Sequence, residues 1–556
     1  MLLTTDIEEK SIGTKHLFAG LKLHVEAGEK IAIIGRNGVG KTTLFRMLTG
    51  EDKDFAGNIA TQPGARIIAT TQEHSGVGDL SVIDYILGRL PEYAQLKHII
   101  DTYPETMGEN VRKITQYSEA LERFGTLDYY TVEDRILQSL EAYQLGDTLD
   151  RPMHSLSGGQ KRLVELVVVE HADADLALID EPTNHMDYVA KAAFLAWFKA
   201  VQRAVVVISH DRDVLEQVTR IIEIKDGGAQ TYKGNYQAYL TQNVQTAATQ
   251  MHDYATAQAT LENLHKQIMQ ARAKKPSWSG TADQKNPFVV MERRLQKQYD
   301  EIKAKMVEPN FWIDRESAAT LNKKISDNYD KFKARNIRLH KTSAGERERE
   351  LLRVEQIQLG YDGQPLFTPV DMILRHGDRL HLIGRNGAGK STLVRAIADA
   401  AQETRAHTWL GGSIFVDKGL RLSVYEQEAG PELLGLPLHG AIAHIYDTLG
   451  LPSSHEVVMR TMGNYLFNPY ADAETRVADL SGGQKARLQI IRMLAPDPNL
   501  LILDEPTNHL DLPSIEELED ALKQYHGALL YISHDSHFAE HLGGEALHLR
   551  PITPLP

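Results

Sequence analysis

Two strings in the sequence have the residue types and spacing to hold a nucleoside triphosphate. Gly35 to Thr42 and Gly384 to Ser391 each read G-x-x-x-x-G-K-[ST]. The first follows the apolar run Lys30 to Ile34 and the second follows Arg379 to Ile383. Both lead into helix-like runs, with Leu44, Met47 and Leu48 or Leu393, Ile397 and Ala398 at helical spacing. That strand–loop–helix setting is what the motif requires. Its glycines let successive backbone N–H groups curl around phosphates at a helix N-terminus. The expected nucleotide ligands are Gly35, Asn37, Gly38, Gly40, Lys41, Thr42 and Thr43, then Gly384, Asn386, Gly387, Gly389, Lys390, Ser391 and Thr392. The lysines would bridge β- and γ-phosphates, and Thr42 and Ser391 would ligate Mg²⁺. A glycine turn of purely structural use does not explain two copies with the same downstream partners.

Those partners are Asp180-Glu181 and Asp504-Glu505, each closing an apolar run that reads as a buried parallel strand, Leu176 to Ile179 and Leu500 to Leu503. The aspartates would hold Mg²⁺, and the glutamates would orient or deprotonate the attacking water. His210 and His534 follow apolar strands and are placed to reach a γ-phosphate. Gln72, after Ile67-Ile68-Ala69, and Gln427, after Leu422 to Tyr425, are candidate sensors of Mg²⁺ or water. Leu-Ser-Gly-Gly-Gln occurs at Leu156 to Gln160 and at Leu480 to Gln484. Its serine is a good helix N-cap and its glycines permit close approach of a backbone or a phosphate.

The elements that must position these residues occur twice. Ser157 to Asp180 and Ser481 to Asp504 both span 23 positions, and Glu181 to His210 and Glu505 to His534 both span 29. Repeats this long are duplicated domains, not solenoid units. We place the domains at 1–240, 241–345 and 346–556, in keeping with the three or four that 556 residues predict. The first copy carries about 31 extra residues within roughly 88–145, since Gln72 to Ser157 is 85 positions and Gln427 to Ser481 is 54. The chain has no cysteine, which excludes disulfides, thiolate metal sites, iron–sulfur clusters and cysteine nucleophiles. No apolar run is long enough for a membrane helix and the N-terminus has no basic signal region, so a cytoplasmic protein without a membrane partner is expected.

Together these motifs resemble the ATP-binding cassette superfamily, which the Leu-Ser-Gly-Gly-Gln string separates from other P-loop ATPases. The Asp-Glu-Pro-Thr-Asn-His strings, the Tyr232 to Tyr239 stretch and the linker of about a hundred residues are similar to its F subfamily. The resemblance implies an α/β fold of two P-loop cassettes joined by a long α-helical hairpin. It also implies an ATPase, with ATP and Mg²⁺ as cofactors, whose cassettes pair head to tail within one monomer. Lys41, Asp180 and Glu181 would then face Ser481, Gly482, Gly483 and Gln484. Lys390, Asp504 and Glu505 would face Ser157, Gly158, Gly159 and Gln160. Asp187 and Asp511 match the family's loop that crosses between sites. Tyr361 matches its adenine-stacking aromatic, where the first copy has Ile12, so the two sites are expected to differ in adenine affinity. The insertion matches an arm that touches the ribosome.

The linker differs from the cassettes in charge. Residues 241–350 carry 20 Lys+Arg against 14 Asp+Glu, while the whole chain carries 61 against 75. Apolar residues from Val244 to Ile268, and again Met291, Leu295, Tyr299, Ile302 and Met306, recur at steps of three and four, which predicts two antiparallel helices. Between the stripes lie Arg272, Lys274, Lys275, Lys285, Arg293, Arg294 and Lys297, with Trp278 and Phe288 interleaved. Cations with interleaved rings suit RNA. A solvated spacer hairpin is the plainer reading. The resemblance favours contact with the ribosome, its rRNA and the P-site tRNA. It leaves two roles open, a translation factor or a protein that protects ribosomes from antibiotics. Two other readings compete: the ATPase subunit of an unlinked membrane transporter, and a DNA-maintenance ATPase.

Overall fold

The computed structural model describes residues 1–552 apart from 14, 72–77, 185, 226, 275–286, 306–348, 362, 403–408, 426–429, 466, 470–471, 481 and 509. The chain forms two compact units. One comprises Met1–Tyr236 with Asn336–Pro556, and the other is Gln237–Arg335.

In the first cassette the run Leu176–Asp180 and the β-branched run Ala204–Ile208 make neighbouring parallel strands with no exposed apolar side chain. Strands this apolar on both faces fit only inside a sheet covered on both sides. The sheet order is Ile67–Ala69, Leu176–Asp180, Ala204–Ile208, Lys30–Gly35, Arg220–Lys225, Gly228–Lys233, with only the last pair antiparallel. Register sets Asp180 and Ile33 each opposite Ile208. The glycine loop, the Asp-Glu pair and His210 therefore all leave the carboxyl edge of one sheet, where open α/β sheets hold ligands. A three-stranded antiparallel sheet, Lys15–Val25, Leu3–Ile12 and Ala56–Thr61, packs against the same core.

The second cassette repeats the plan. Leu422–Tyr425, Leu500–Asp504, Ala528–Ile532, Arg379–Ile383 and Glu545–His548 form a parallel sheet, with Glu350–Tyr361 central to an antiparallel one. The extra residues of the first cassette are two helices, Tyr93–Thr106 and Val111–Thr126, joined at 107–110 into a hairpin. Tyr129 packs edge to face against Tyr93 and Phe124 at its base, and Tyr93 lies tilted against Phe124, with ring centroids 5.3–5.7 Å apart.

In the second unit, Tyr236–Lys274 is one helix of 39 residues, about 58 Å at 1.5 Å per residue. Pro287 opens its partner, Pro287–Lys305. Leu264, Ile268 and Leu295 form the buried seam with Tyr299 and Ile302 beside them. Met291, expected in this stripe, is 47% exposed and stands outside this seam. Val244, Met251, Tyr254 and Met306 lie outside the described side chains.

Candidate active sites

Each glycine loop closes over an aromatic floor. Gly40 has φ 103°, and a Cβ there would stand 2.8 Å from Phe18 Cζ. Gly389 has φ 91° and the same conflict with Phe367, at 2.9 Å. Only glycine accepts both the left-handed backbone and the contact. The helices that follow begin at Lys41 and Lys390. Lys41 Nζ curls back to donate to Gly35 O at 2.6 Å, and Lys390 Nζ to Gly384 O at 2.6 Å. Burial lowers both lysine pKa values, against the pull of Glu181, Asp511 and Asp180 on Lys41 and of Glu505, Asp187 and Asp504 on Lys390.

The candidate metal ligands meet in pairs. Thr42 Oγ1 donates to Asp180 Oδ2 at 3.0 Å, and Ser391 Oγ to Asp504 Oδ2 at 2.7 Å. A hydroxyl beside a half-buried carboxylate is an all-oxygen donor set of the kind a hard cation takes. Bound there, Mg²⁺ would neutralise charge on the phosphates. Gln72 and Gln427 lie outside the described residues, as does Ser481.

Glu181 and Glu505 both stand in the left-handed region, at φ 46° and 48°. The strain is held by the Glu181 N–H donating to Ile208 O at 2.8 Å and the Glu505 N–H to Ile532 O at 3.0 Å. Non-glycine strain repeated at one position of both copies is a mark of function. Burial pushes both carboxyls up from their usual range, against the pull of Lys41 and Lys390. A base near neutral pKa can accept a proton from water at physiological pH. His210 Nε2 lies 3.2 Å from Glu181 Oε1, and His534 Nε2 lies 3.3 Å from Glu505 Oε1. Burial lowers both imidazoles, His534 to about 3, so each stands neutral beside its glutamate.

The two cassettes are joined at these loops. Asp511 Oδ2 accepts the Asn37 N–H at 3.1 Å, and Asp187 Oδ2 accepts the Asn386 N–H at 3.2 Å. Asp187 and Asp511 are buried, and each also caps its own helix, Tyr188–Ala200 or Leu512–Gln524. Between the cassettes lies a cavity of about 610 Å³, lined by Tyr361, Asn386, Gly387, Gly389, Lys390, Ser391, Thr392, Asp504, Glu505 and His534, with Asn37, Glu181 and His210 across from them. Ser157, Gly158, Gly159 and Gln160 are not among its lining residues. Ser157 is instead engaged in a reciprocal cap with Gln160, and a Cβ on Gly158 would meet nothing within 4 Å. Gly482 and Gly483 open the helix Gly482–Leu494, and Gln484 Nε2 donates to Asp472 Oδ1 at 3.3 Å. Tyr361 is 56% exposed within the cavity wall, while Ile12, 55% exposed, ends the corresponding strand.

The family model described as ABC transporter matches residues 18–184 and 367–508. The chain belongs to the ABC transporter family. A second ABC transporter model covers residues 222–286. Within the family the chain is an ATPase with two cassettes in tandem. It is 28% identical to "Probable ATP-binding protein YbiT" of Escherichia coli O157:H7, over 99% of this chain and 96% of that one. It is 26% identical to "ABC transporter F family member 5" of Arabidopsis thaliana, over 93% and 70%. Among solved structures, the complex of archaeal ribosomal stalk protein aP1 with the archaeal ribosome recycling factor aABCE1 matches with TM-score 0.56 at 16% identity, over 98% and 87%. That likeness is one of fold. No helix among the described residues is long and apolar enough to cross a membrane.

Among the RNA-contact candidates, Arg272 has its charge met within the hairpin: its Nε lies 2.7 Å from Glu292 Oε1. Lys297 pairs with Glu301 at 3.8 Å, and Arg293 and Arg294 are exposed. Lys274 ends the first helix and Phe288 is the second residue of the helix Pro287–Lys305. Lys275, Trp278 and Lys285 lie outside the described residues.

Sequence reasoning missed several residues at the cassette contact. Arg212 and Glu519 form a buried ion pair across it, at 2.8 Å. Lys191 meets Asp211 and Asp213 at 2.8 and 2.7 Å and reaches His534 O of the other cassette at 3.4 Å. Their positions in the other copy, 324 residues away, hold Ser536, Leu195 and Ile515. A search for repeated motifs passes over residues present in one copy only.

Proposed function

We propose that this ATPase works on the ribosome, with its helical hairpin as the RNA-contacting element. The observation that carries the reading is the join between a two-cassette ATP switch and a hairpin that presents Arg293 and Arg294 to solvent on an otherwise acidic chain. Phosphate contact is the main source of affinity for RNA, and here the linker is the segment with the charge to make it. The fold relative crystallised with a ribosomal stalk protein is itself named a ribosome recycling factor, which supports the same partner.

In this reading ATP, held with Mg²⁺ by Lys41, Thr42 and Asp180 and by Lys390, Ser391 and Asp504, draws the cassettes together. The hairpin then occupies the tRNA exit region beside the P-site tRNA. Glu181 and Glu505 activate water, and hydrolysis releases the factor. The test is co-sedimentation of the Glu181→Gln, Glu505→Gln protein with ribosomes in ATP or ADP. ATP-dependent pelleting that weakens with salt and on neutralising Arg293, Arg294 and Lys274 is the expected result. No pelleting at low salt, with ATP binding intact, would overturn the reading. Drug-susceptibility measurements then separate a translation factor from a ribosome-protection protein.

A further inference from the structure

The first cassette holds a buried polar cluster that no motif announced. Glu165, on the helix Gly158–His171, is 1% exposed. Its Oε2 accepts the Thr71 N–H at 3.0 Å, and its Oε1 accepts the Tyr85 hydroxyl. Arg89 NH1 donates to the Tyr85 hydroxyl oxygen Oη at 2.9 Å and lies 3.8 Å from Glu165 Oε1, and Arg89 NH2 reaches Ala69 O at 3.4 Å. Next to Thr71, Thr70 Oγ1 accepts the backbone N–H of Asp180 at 3.1 Å. The cluster thus runs from the backbone of Asp180, at the strand end that carries the candidate metal carboxylate, through Thr70 and Thr71 to the helix Val82–Arg89. Arg89 is the last residue of that helix, and the inserted hairpin begins three residues later, at Glu92–Tyr93.

Among its described residues the second cassette has none of it. The 324-residue offset sets Gln489 at the place of Glu165. The helix-opening bridges Ser81–Pro152 and Pro437–Arg476 align Tyr85 with Ala441 and Arg89 with Ile445. Strand register aligns Thr70 with Tyr425. Gln489 is buried and its Nε2 has no hydrogen-bond partner among the described residues. Ile445 instead borders an open space of about 640 Å³ with Leu422, Val424 and Leu433. The second cassette also lacks the inserted hairpin. Clamp and insertion therefore occur together and are absent together.

We infer that Glu165, Tyr85 and Arg89 are positioning residues that tie the Asp180 strand end of the first site to the inserted hairpin. Nucleotide at the first site and the geometry of the insertion then move as one. The physical reason is the cost of breaking the cluster: any shift of Val82–Arg89 against Thr70–Thr71 would strand a buried carboxylate. The helix and the strand end must travel together. The second site has no such tie and turns over independently of the insertion.

The inference concerns the ATPase alone and does not rest on the ribosome reading, so the experiment contains no ribosome. Hydrogen exchange is measured across Tyr93–Thr106 and Val111–Thr126 in the full chain carrying Glu181→Gln and Glu505→Gln, with and without ATP. ATP should change exchange in this hairpin, and Tyr85→Phe or Glu165→Gln should abolish that change while a fluorescent ATP analogue still binds within about threefold. Tyr85→Phe removes one hydroxyl and keeps the packing, so it stands if Glu165→Gln does not fold. In the Glu505→Gln protein, where the first site alone hydrolyses, Tyr85→Phe should lower kcat by about tenfold, the value of one buried hydrogen bond to a charged group, with KM little changed. A purely structural role would show as a lowered melting temperature without the kcat–KM split. An insertion indifferent to ATP in the parent, or an ATP response that survives both substitutions, overturns the proposal.

Discussion

Glu519→Ala should loosen the cassette contact by about 3–5 kcal/mol, and the reason is the partner it leaves behind. Arg212 donates to Glu519 through NH1 at 2.8 Å and NH2 at 3.2 Å, with the side chains 8% and 5% exposed. Burial raises the Glu519 carboxyl despite the guanidinium beside it, so the ion pair does not fully repay the desolvation of its acid. Arginine cannot shed its proton, whereas glutamate can take one up. Three variants should therefore fall in order. Glu519→Ala strands a buried cation that the nearby Tyr236 and Glu516 offset only in part, and costs most. Arg212→Ala leaves an acid that can neutralise itself, and costs less. Arg212→Met with Glu519→Leu replaces the pair by apolar groups of similar volume and costs about 1 kcal/mol or less. Each cassette keeps its own core, so the loss falls on the contact rather than on either fold.

Hydrogen exchange of the helix Leu512–Gln524 reads that opening. At about 1.4 kcal/mol per tenfold, Glu519→Ala should speed it by roughly a hundred- to a few thousandfold. For Arg212→Ala the freed Glu519 has a raised folded-state pKa, so stability is fullest at low pH and is lost as pH rises through that value. Its defect should shrink as pH falls, while that of Glu519→Ala should not. Equal, additive effects below about fivefold, without this pH contrast, would refute a buried pair and with it the cassette contact described above.

Glu181→Gln with Glu505→Gln should keep ATP binding and lower steady-state phosphate release by about 10²–10⁴-fold; a smaller drop would remove the glutamates as bases. Gly40→Ala must place a Cβ against Phe18 at φ 103°, so calorimetric titration of the Lys390→Ala protein should lose first-site nucleotide binding on adding it. Tyr361→Ala should weaken second-site ATP binding about fivefold, the value of about 1 kcal/mol of stacking, measured with Lys41→Ala silencing the first site. Burial raises Glu170 to about 7 and lowers His171 to about 4. Glu170 thus contributes stability below pH 4.5 that is lost toward pH 7, and His171 contributes stability above pH 6.5 that is lost toward pH 4. The opposed slopes nearly cancel between them, so Glu170→Gln should expose a stability that climbs with pH over this window in denaturant unfolding.

The parts legible in sequence were those written locally and twice. Gly35 to Thr42, Asp180-Glu181 and His210 were found because each motif closes a strand whose apolar run is itself a local signal. The hairpin linker followed from a three-and-four stripe, and one expected member of it, Met291, is 47% exposed outside the seam of Leu264, Ile268 and Leu295. The insertion was visible as a length difference and became two helices, Tyr93–Thr106 and Val111–Thr126.

What the chain by itself determined, then, is chemistry carried by short strings: phosphate loops, metal carboxylates and bases at fixed spacing, with a basic helical linker between two copies. Tertiary structure alone decided which distant side chains share a buried space. Arg212 meets Glu519 across 307 positions, Lys191 reaches His534 O, and Glu165 clamps Thr71 to Tyr85. None of these pairs has a period or a motif, because a buried charge is satisfied by whatever partner folding brings within about 3 Å, at no fixed distance along the chain. The structure also decided that Ser157 serves its own helix as a cap, while Asp187 and Asp511 carry the cassette contact. Spacing could not tell these apart, since both rest on backbone N–H groups that point outward only once the sheets and helices are assembled.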